Sequence, residues 1–203
     1  ASHIQAAIAH RQPLVPLIAE TAGLNALIAD ESALPEQLVA DVVRSAFVSC
    51  GQRCSNARLL CLPAQTADLV VDMLLGALDE LRVGDPAELD VDCGPLIDAR
   101  AKNAVQAHVD DLLQKGIQLL GRAPAYQDFI APVVLELPNL DALPRKECFG
   151  PVLHVLRYDT DLPSLIAAIN DLGYGLTMGL HSRLESVHAL ARRHATAGNL
   201  YVN

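Results

Sequence analysis

The stretch PEQLVADVVRSAFVSCGQRCSNARLLCLP, residues 35–63, holds a helix pattern and a strand pattern on either side of a cysteine-rich loop. Leu38, Val39, Val42, Val43, Ala46 and Phe47 recur at spacings of three and four, which makes one apolar helical face. Pro35 suits the first turn of that helix, where a missing N–H costs little. The helix is expected to stop near Gly51. ARLLCLP (57–63) follows as an apolar run of strand length.

Outward from this stretch the two patterns keep alternating. PLIAE (16–20) and NALIAD (25–30) read as short buried strands around a glycine turn. Residues 66–81 form a helical segment bounded by VGDP, and 99–113 form another, which Gly116 ends before the strand IQLL. IAPVVLEL and PVLHVLRY read as strands, 162–172 and 184–196 as helices with GLTMGLHS between them, and LYVN as a final strand. GRAPAYQD (121–128) reads as a surface loop. Strands separated by helices of this length predict an α/β fold, a largely parallel sheet with helices on both faces, in one domain over 1–203.

Composition narrows the function classes. The chain is 51% apolar, enough for a sizeable core, but has no Trp and only 3% aromatics, so aliphatic side chains must fill it. Twenty-four acidic against fifteen basic residues give a formal charge of −9, and no Lys/Arg run reverses that field, which argues against nucleic acid as a partner. No apolar run approaches the roughly 20 residues of a membrane span, and ASHIQAAIAHRQ lacks the apolar centre of a signal peptide. Five cysteines are odd in number and too sparse for a disulfide framework, so a reducing, cytoplasmic setting is expected.

Three of those cysteines, Cys50, Cys54 and Cys61, lie within twelve positions. Their Cys-x3-Cys-x6-Cys spacing, with His10 and His108 the nearest histidines, does not suit zinc, so no metal is expected. Cys50 at the helix end and Cys61 in a strand read as small buried hydrophobes, and Cys93 and Cys148 likewise. Cys54 differs. It sits in a loop past a helix end and before a strand, a place where catalytic side chains collect on α/β domains. Arg53 beside it can favour the thiolate, the form that attacks carbonyl carbon. The remaining histidines, His181, His188 and His194 among them, show no ligand spacing and read as surface or satisfied residues.

GQRCS (51–55) resembles the active-site motif of the aldehyde dehydrogenase superfamily, in which a cysteine after Gly-Gln-x attacks the aldehyde. AETAGLN (19–25) resembles the family's Glu-x-Gly-Gly segment, and from Glu20 to Cys54 is 34 positions, as in the family. KECFGPV (146–152) resembles its Glu-x-Phe-Gly-Pro-Val motif, and GYGLTMGLHS…AGNLYVN follows its pattern too. Within the superfamily, PLIAETAGLNALIAD, SAFVSCGQRCSNARLLCL, DCGPLIDARAKNAVQAH and ECFGPVLHVLRY read like the glutamate-semialdehyde (pyrroline-5-carboxylate) dehydrogenases of bacterial proline utilization A proteins. One departure is Ala22, where the family has the first of two glycines.

The resemblance implies a cysteine-bearing catalytic domain of a longer, homo-oligomeric chain, with NAD bound by a separate domain outside these residues. It makes Cys54 the nucleophile, passing through a thiohemiacetal and a thioester, and Glu20 the base that activates the hydrolytic water. Glu147 would accept from the nicotinamide ribose hydroxyls, and Phe149 would pack on the nicotinamide. Arg53 and Ser55 would hold the carboxylate of a small acidic aldehyde, L-glutamate γ-semialdehyde, while Phe47 reads from its spacing as core. The alternatives are another acidic semialdehyde such as succinylglutamate semialdehyde, or a non-catalytic domain of the same fold. A generic thiol acyl-transfer domain lacks a histidine near Cys54.

Overall fold

The computed structural model describes residues 2–13, 15–19 and 22–203. Among the described residues, seven strands make one sheet: β1 (Asn25–Ala29), β2 (Ala57–Pro63), β3 (Gln118–Arg122), β4 (Val133–Leu137), β5 (Val152–Tyr158), β6 (Thr177–His181) and β7 (Asn199–Val202). Their order is β3-β4-β5-β2-β1-β6-β7. All neighbours run parallel except β3, which pairs antiparallel with β4 at one edge.

The central strands are apolar on both faces because helices cover both. Leu27, Leu60, Leu62, Leu153 and Val155 face α2 (Pro35–Phe47) and α3 (Ala67–Asp79). Ile28, Leu59, Cys61, Val152 and Leu156 belong to the other core. That second core also takes in α4 (Ala99–Gln114), α5 (Leu162–Asn170) and α6 (Glu185–His194). Successive residues of a strand thus fall alternately into the two cores, as a doubly covered sheet requires. The helix starting at Pro35 buries Leu38, Val39, Val42, Ala46 and Phe47, the predicted stripe less Val43, which is half-buried.

Two elements depart from expectation. Residues 16–19 carry no regular structure and are exposed, so the predicted strand over 16–20 is not formed, and Glu20 lies outside the described residues. The reason is pairing: β1 already has β2 on one side and β6 on the other, so no edge is open beside it. Pro16 also removes a ladder donor from that stretch. Conversely, Ser2–Ala9 forms a helix, α1, that the apolar pattern did not announce and that buries none of its residues. No helix among the described residues is long and apolar enough to cross a membrane.

One polar group in β5 runs against its apolar surroundings. His154 is only 2% exposed. Its Nδ1–H donates to the Arg58 carbonyl at 2.8 Å, so its Nε2 accepts from the Nε2–H of His108 on α4, 3.1 Å away. Burial, and then the neighbouring His108, push His154 down from 6.5 to about 4, and burial lowers His108 as well. An unfolded chain takes up the His154 proton near 6.5 while the folded one resists it. The stability of this packing is therefore complete above pH 6.5 and is lost as pH falls toward 4. At about 1.4 kcal/mol per pH unit of displacement, the loss amounts to a few kcal/mol. Urea midpoints measured between pH 7 and about 4 should fall for the wild type. His154→Gln keeps one donor and one acceptor without a titrating ring, and should flatten that decline.

Candidate active site

The segments that carry the three motifs meet at the amino-terminal edge of the parallel strands. Residues 22–25 lead into β1, 51–56 into β2 and 147–151 into β5. That agrees with the reading of Cys54 in a loop before a strand, although the usual ligand crevice of such sheets lies at the carboxyl ends. At the carboxyl edge there is a cleft of about 530 Å³ bordered by Asp30, Tyr158 and Arg183, on the side of the sheet opposite Cys54.

The chain reaches Cys54 through a reversal of backbone handedness. After α2 ends at Phe47, Ser49, Cys50 and Gly51 take φ of 59°, 53° and 66°. Each left-handed residue with a Cβ costs roughly 1–2 kcal/mol, so the surroundings must hold this turn. Cys50, 1% exposed, is anchored in the core. Gly51 lies so close to the opposite segment that a Cβ there would sit 2.1 Å from the Gly150 carbonyl oxygen.

Asn25 holds the loop from behind. This buried amide donates to the Cys54 carbonyl at 2.7 Å and to the Asn56 carbonyl at 2.9 Å, while its Oδ1 accepts from Thr177 N–H at 3.2 Å. Asn56 in turn donates to the carbonyls of Ala46 and Val48 at the end of α2. With its backbone fixed this way, Cys54 leaves its thiol exposed. The other four cysteines are buried. Burial pushes Cys50 and Cys148 up to about 11, Cys93 up to about 12, and Cys61 higher still, so these thiols stay protonated and inert.

Glu147 comes to the same place. Its Oε2 accepts from Gly23 N–H at 3.0 Å, and its Oε1 accepts from Arg58 Nη2 at 3.1 Å. Arg58 and Glu147 form an ion pair with side chains 1% and 10% exposed. Burial lowers the Arg58 pKa and Glu147 offsets part of that, and the guanidinium stays charged. Phe149 is exposed, and its ring centroid lies 5.5 Å from Arg58 Cζ. Arg53 and Ser55 are exposed and border a cleft of about 510 Å³ together with Asn25, Arg44 and Ser45. Cys54 does not line that cleft. Arg53 Nε donates to Ser49 Oγ at 3.0 Å. Phe47 is a core residue, as its spacing suggested. His181 is buried 3.4 Å from Asp41, His188 contacts the Ser182 carbonyl, and His194 is exposed.

The sequence profile of the aldehyde dehydrogenase family matches residues 1–203. The chain belongs to this family. The bifunctional protein PutA of Escherichia coli is 47% identical over 199 residues, which is 93% of this chain and 15% of the relative's length. The N-succinylglutamate 5-semialdehyde dehydrogenase of Vibrio cholerae is 35% identical over 175 residues, 84% of this chain and 36% of that protein. Among solved structures, a variant of Bradyrhizobium japonicum proline utilization A superposes with a TM-score of 0.93 at 44% identity, over 99% of this chain and 21% of that one. The NADP complex of an NADP-dependent glyceraldehyde-3-phosphate dehydrogenase from Bacillus halodurans gives 0.85 at 25% identity, over 99% and 42%. The chain thus spans a small part of the length of the PutA relatives it matches.

Sequence reasoning passed over two residues in this aldehyde dehydrogenase chain that hold the motifs together, Asn25 and Arg58. Each left a readable trace. An amide opens the apolar strand NALIA, and a lone charge interrupts ARLLCLP. Polar groups inside doubly covered strands must find partners.

The contact between Gly51 and Gly150 generates a prediction. Gly51→Ala adds a methyl at positive φ against backbone and should cost at least about 3 kcal/mol. The measurement is thermal denaturation, with Gly76→Ala as control. Gly76 lies inside α3 with nothing within 4 Å of an added Cβ. The control should be neutral or stabilising by about 0.5–1 kcal/mol.

Proposed function

We propose that this chain is the nucleophile-bearing domain of a longer enzyme that oxidises L-glutamate γ-semialdehyde to glutamate with NAD⁺, the second step of proline breakdown. The observation that carries this reading is the contrast among the thiols. Cys54 alone of the five is exposed, on a loop pinned by Asn25 against the segment of Glu147. Relatives named PutA at 44–47% identity support the substrate class.

The residues present fit a nicotinamide nucleoside. Glu147 is oriented by Arg58 and Gly23 yet keeps lone pairs for a ribose diol, and Phe149 beside it offers an exposed ring. When bound, the cofactor supplies the acceptor for the two electrons that leave the aldehyde carbon as hydride. The chain's own residues do the rest. The Cys54 thiolate adds to the aldehyde carbon and forms a thiohemiacetal, whose oxyanion faces the Cys54 N–H. Loss of hydride leaves a thioester on the same sulfur. Glu20 takes a proton from water, the resulting hydroxide adds to the thioester, and the carbon–sulfur bond breaks to restore the thiolate and release the carboxylic acid, which loses its proton to solvent as carboxylate. Arg53 and Ser55 offer a guanidinium and a hydroxyl to the far carboxylate of the substrate.

The similarity to N-succinylglutamate 5-semialdehyde dehydrogenase supports a second reading, a larger acidic semialdehyde handled by the same chemistry. Both readings are tested in the full-length protein by NADH formation from each aldehyde. Cys54→Ala should lower turnover about a thousandfold or more with the melting temperature unchanged, since the side chain is exposed. A variant that still forms NADH at the wild-type rate would remove the nucleophile assignment. A higher kcat/KM for the succinylated substrate would favour the second reading.

A further inference from the structure

Arg58 is the largest fully buried side chain in the molecule's described residues, 1% exposed, in a strand whose other members are apolar. A guanidinium taken out of water is costly unless its donors are matched. Here the matches are specific. Nη1 donates to the Gly150 carbonyl at 3.0 Å, and Nη2 donates to the Arg53 carbonyl at 3.1 Å and to Glu147 Oε1 at 3.1 Å. The plane of charge also lies near the Phe149 ring, 5.5 Å from its centroid. Nε has no partner. One side chain therefore bonds the residue just before the exposed thiol and two residues of the facing segment, Glu147 and Gly150, and lies against the ring of Phe149 between them.

These acceptors are not shared with any other cation of the described residues, and the two that are main-chain carbonyls keep only one local partner each, the Asn56 N–H for Arg53 and the Val152 N–H for Gly150, so that Arg58 alone ties the two segments to each other through them. Glu147 is oriented before any ligand arrives, with Arg58 on one oxygen and Gly23 N–H on the other. Gly23 in turn sits against the Cys54 carbonyl, close enough that a Cβ would come within 2.8 Å of it. The result is a closed circuit: Arg58 to Glu147, Glu147 to Gly23, Gly23 to the Cys54 peptide, and back through Arg53 to Arg58.

We propose that Arg58 is a positioning residue: its buried guanidinium sets the nucleophile loop 51–56 and the segment 147–151 at a fixed separation, and orients Glu147 for the cofactor's diol. This rests on the function proposed above for Cys54 and Glu147. A lysine is a poor substitute, because a single ammonium cannot span three acceptors lying in different directions as the planar fork does.

The experiment uses the full-length protein with Arg58→Met, Arg58→Lys, Glu147→Gln and the double variant Arg58→Met/Glu147→Gln. All are compared well below their melting temperatures, where circular dichroism shows them folded. Three quantities are read: amide hydrogen exchange by peptide, NAD⁺ affinity by calorimetry, and kcat. Arg58→Met should speed exchange about tenfold or more in 51–56 and 147–151 while peptides of β1 and β4 keep wild-type protection. It should also weaken NAD⁺ binding and lower kcat by about tenfold or more each, because small displacements of reacting groups are costly. Arg58→Lys should fall between, and the double variant should bind NAD⁺ no worse than Arg58→Met, since the two residues act as one unit. A folded Arg58→Met protein with wild-type exchange at both segments and wild-type NAD⁺ affinity would overturn the proposal, as would exchange raised equally throughout the chain. If Arg58→Met does not fold, the same outcomes in Arg58→Lys decide. Failure of the Cys54 assignment would show separately, in the activity of Cys54→Ala, without altering the exchange pattern.

Discussion

A positive charge enclosed by a sheet has to be met from within the protein, and in this chain it is met by loops. Arg58 stands in β2 among Ala57, Leu59 and Leu60, all buried. Its bonds reach the carboxylate of Glu147 and the carbonyls of Arg53 and Gly150, which each have only one local backbone partner besides it. The desolvation cost of the guanidinium thereby becomes a force that gathers loops. Two segments more than ninety residues apart in sequence, 51–56 and 147–151, are tied to the same strand end.

That gathering explains how an exposed thiol can be well defined in position. Loops ordinarily lie loosely on the surface. The loop bearing Cys54 is held from below by Asn25, from the side by Arg58, and at its entrance by three successive left-handed residues. Asn25 links three parallel segments, since its amide serves the loop before β2 while its carbonyl takes the Thr177 N–H at the start of β6. The carboxyl edge of the sheet is built differently. Asp30 accepts there from Ser32 and Ser182, and Arg183 donates to the Ser32 carbonyl, so the polar groups satisfy one another. The exposed Cys54 thiol and the half-open Glu147 carboxylate lie at the amino edge.

The same logic separates the cysteines. Cys61 lies inside β2, and Cys50, Cys93 and Cys148 lie against the cores, where a thiolate would be stranded without water. Cys54 is a few residues from two of them in sequence and sits outside the core. The left-handed turn at 49–51 makes that difference, carrying the chain from the buried end of α2 to the surface within a few residues.

How far these features could be read from the chain follows from their range. The helix over 35–47 and the strand over 57–63 depend on periodicity and apolar run length, which neighbouring residues report, and both were legible along with the parallel α/β class. The GQRCS and ECFGPV motifs were legible too, as chemistry attached to short local patterns. Residues 16–19 misled because an apolar run becomes a strand only beside an open edge, and the edges of β1 are taken by β2 and β6. That the three motif segments converge, and that Arg58, Asn25 and Gly51 hold them together, depends on contacts such as Arg58 to Gly150, 92 positions apart. Local sequence encodes what each segment prefers to be. The partner that a buried charge or amide must find is fixed by where other segments arrive, and that was settled only when the chain closed on itself.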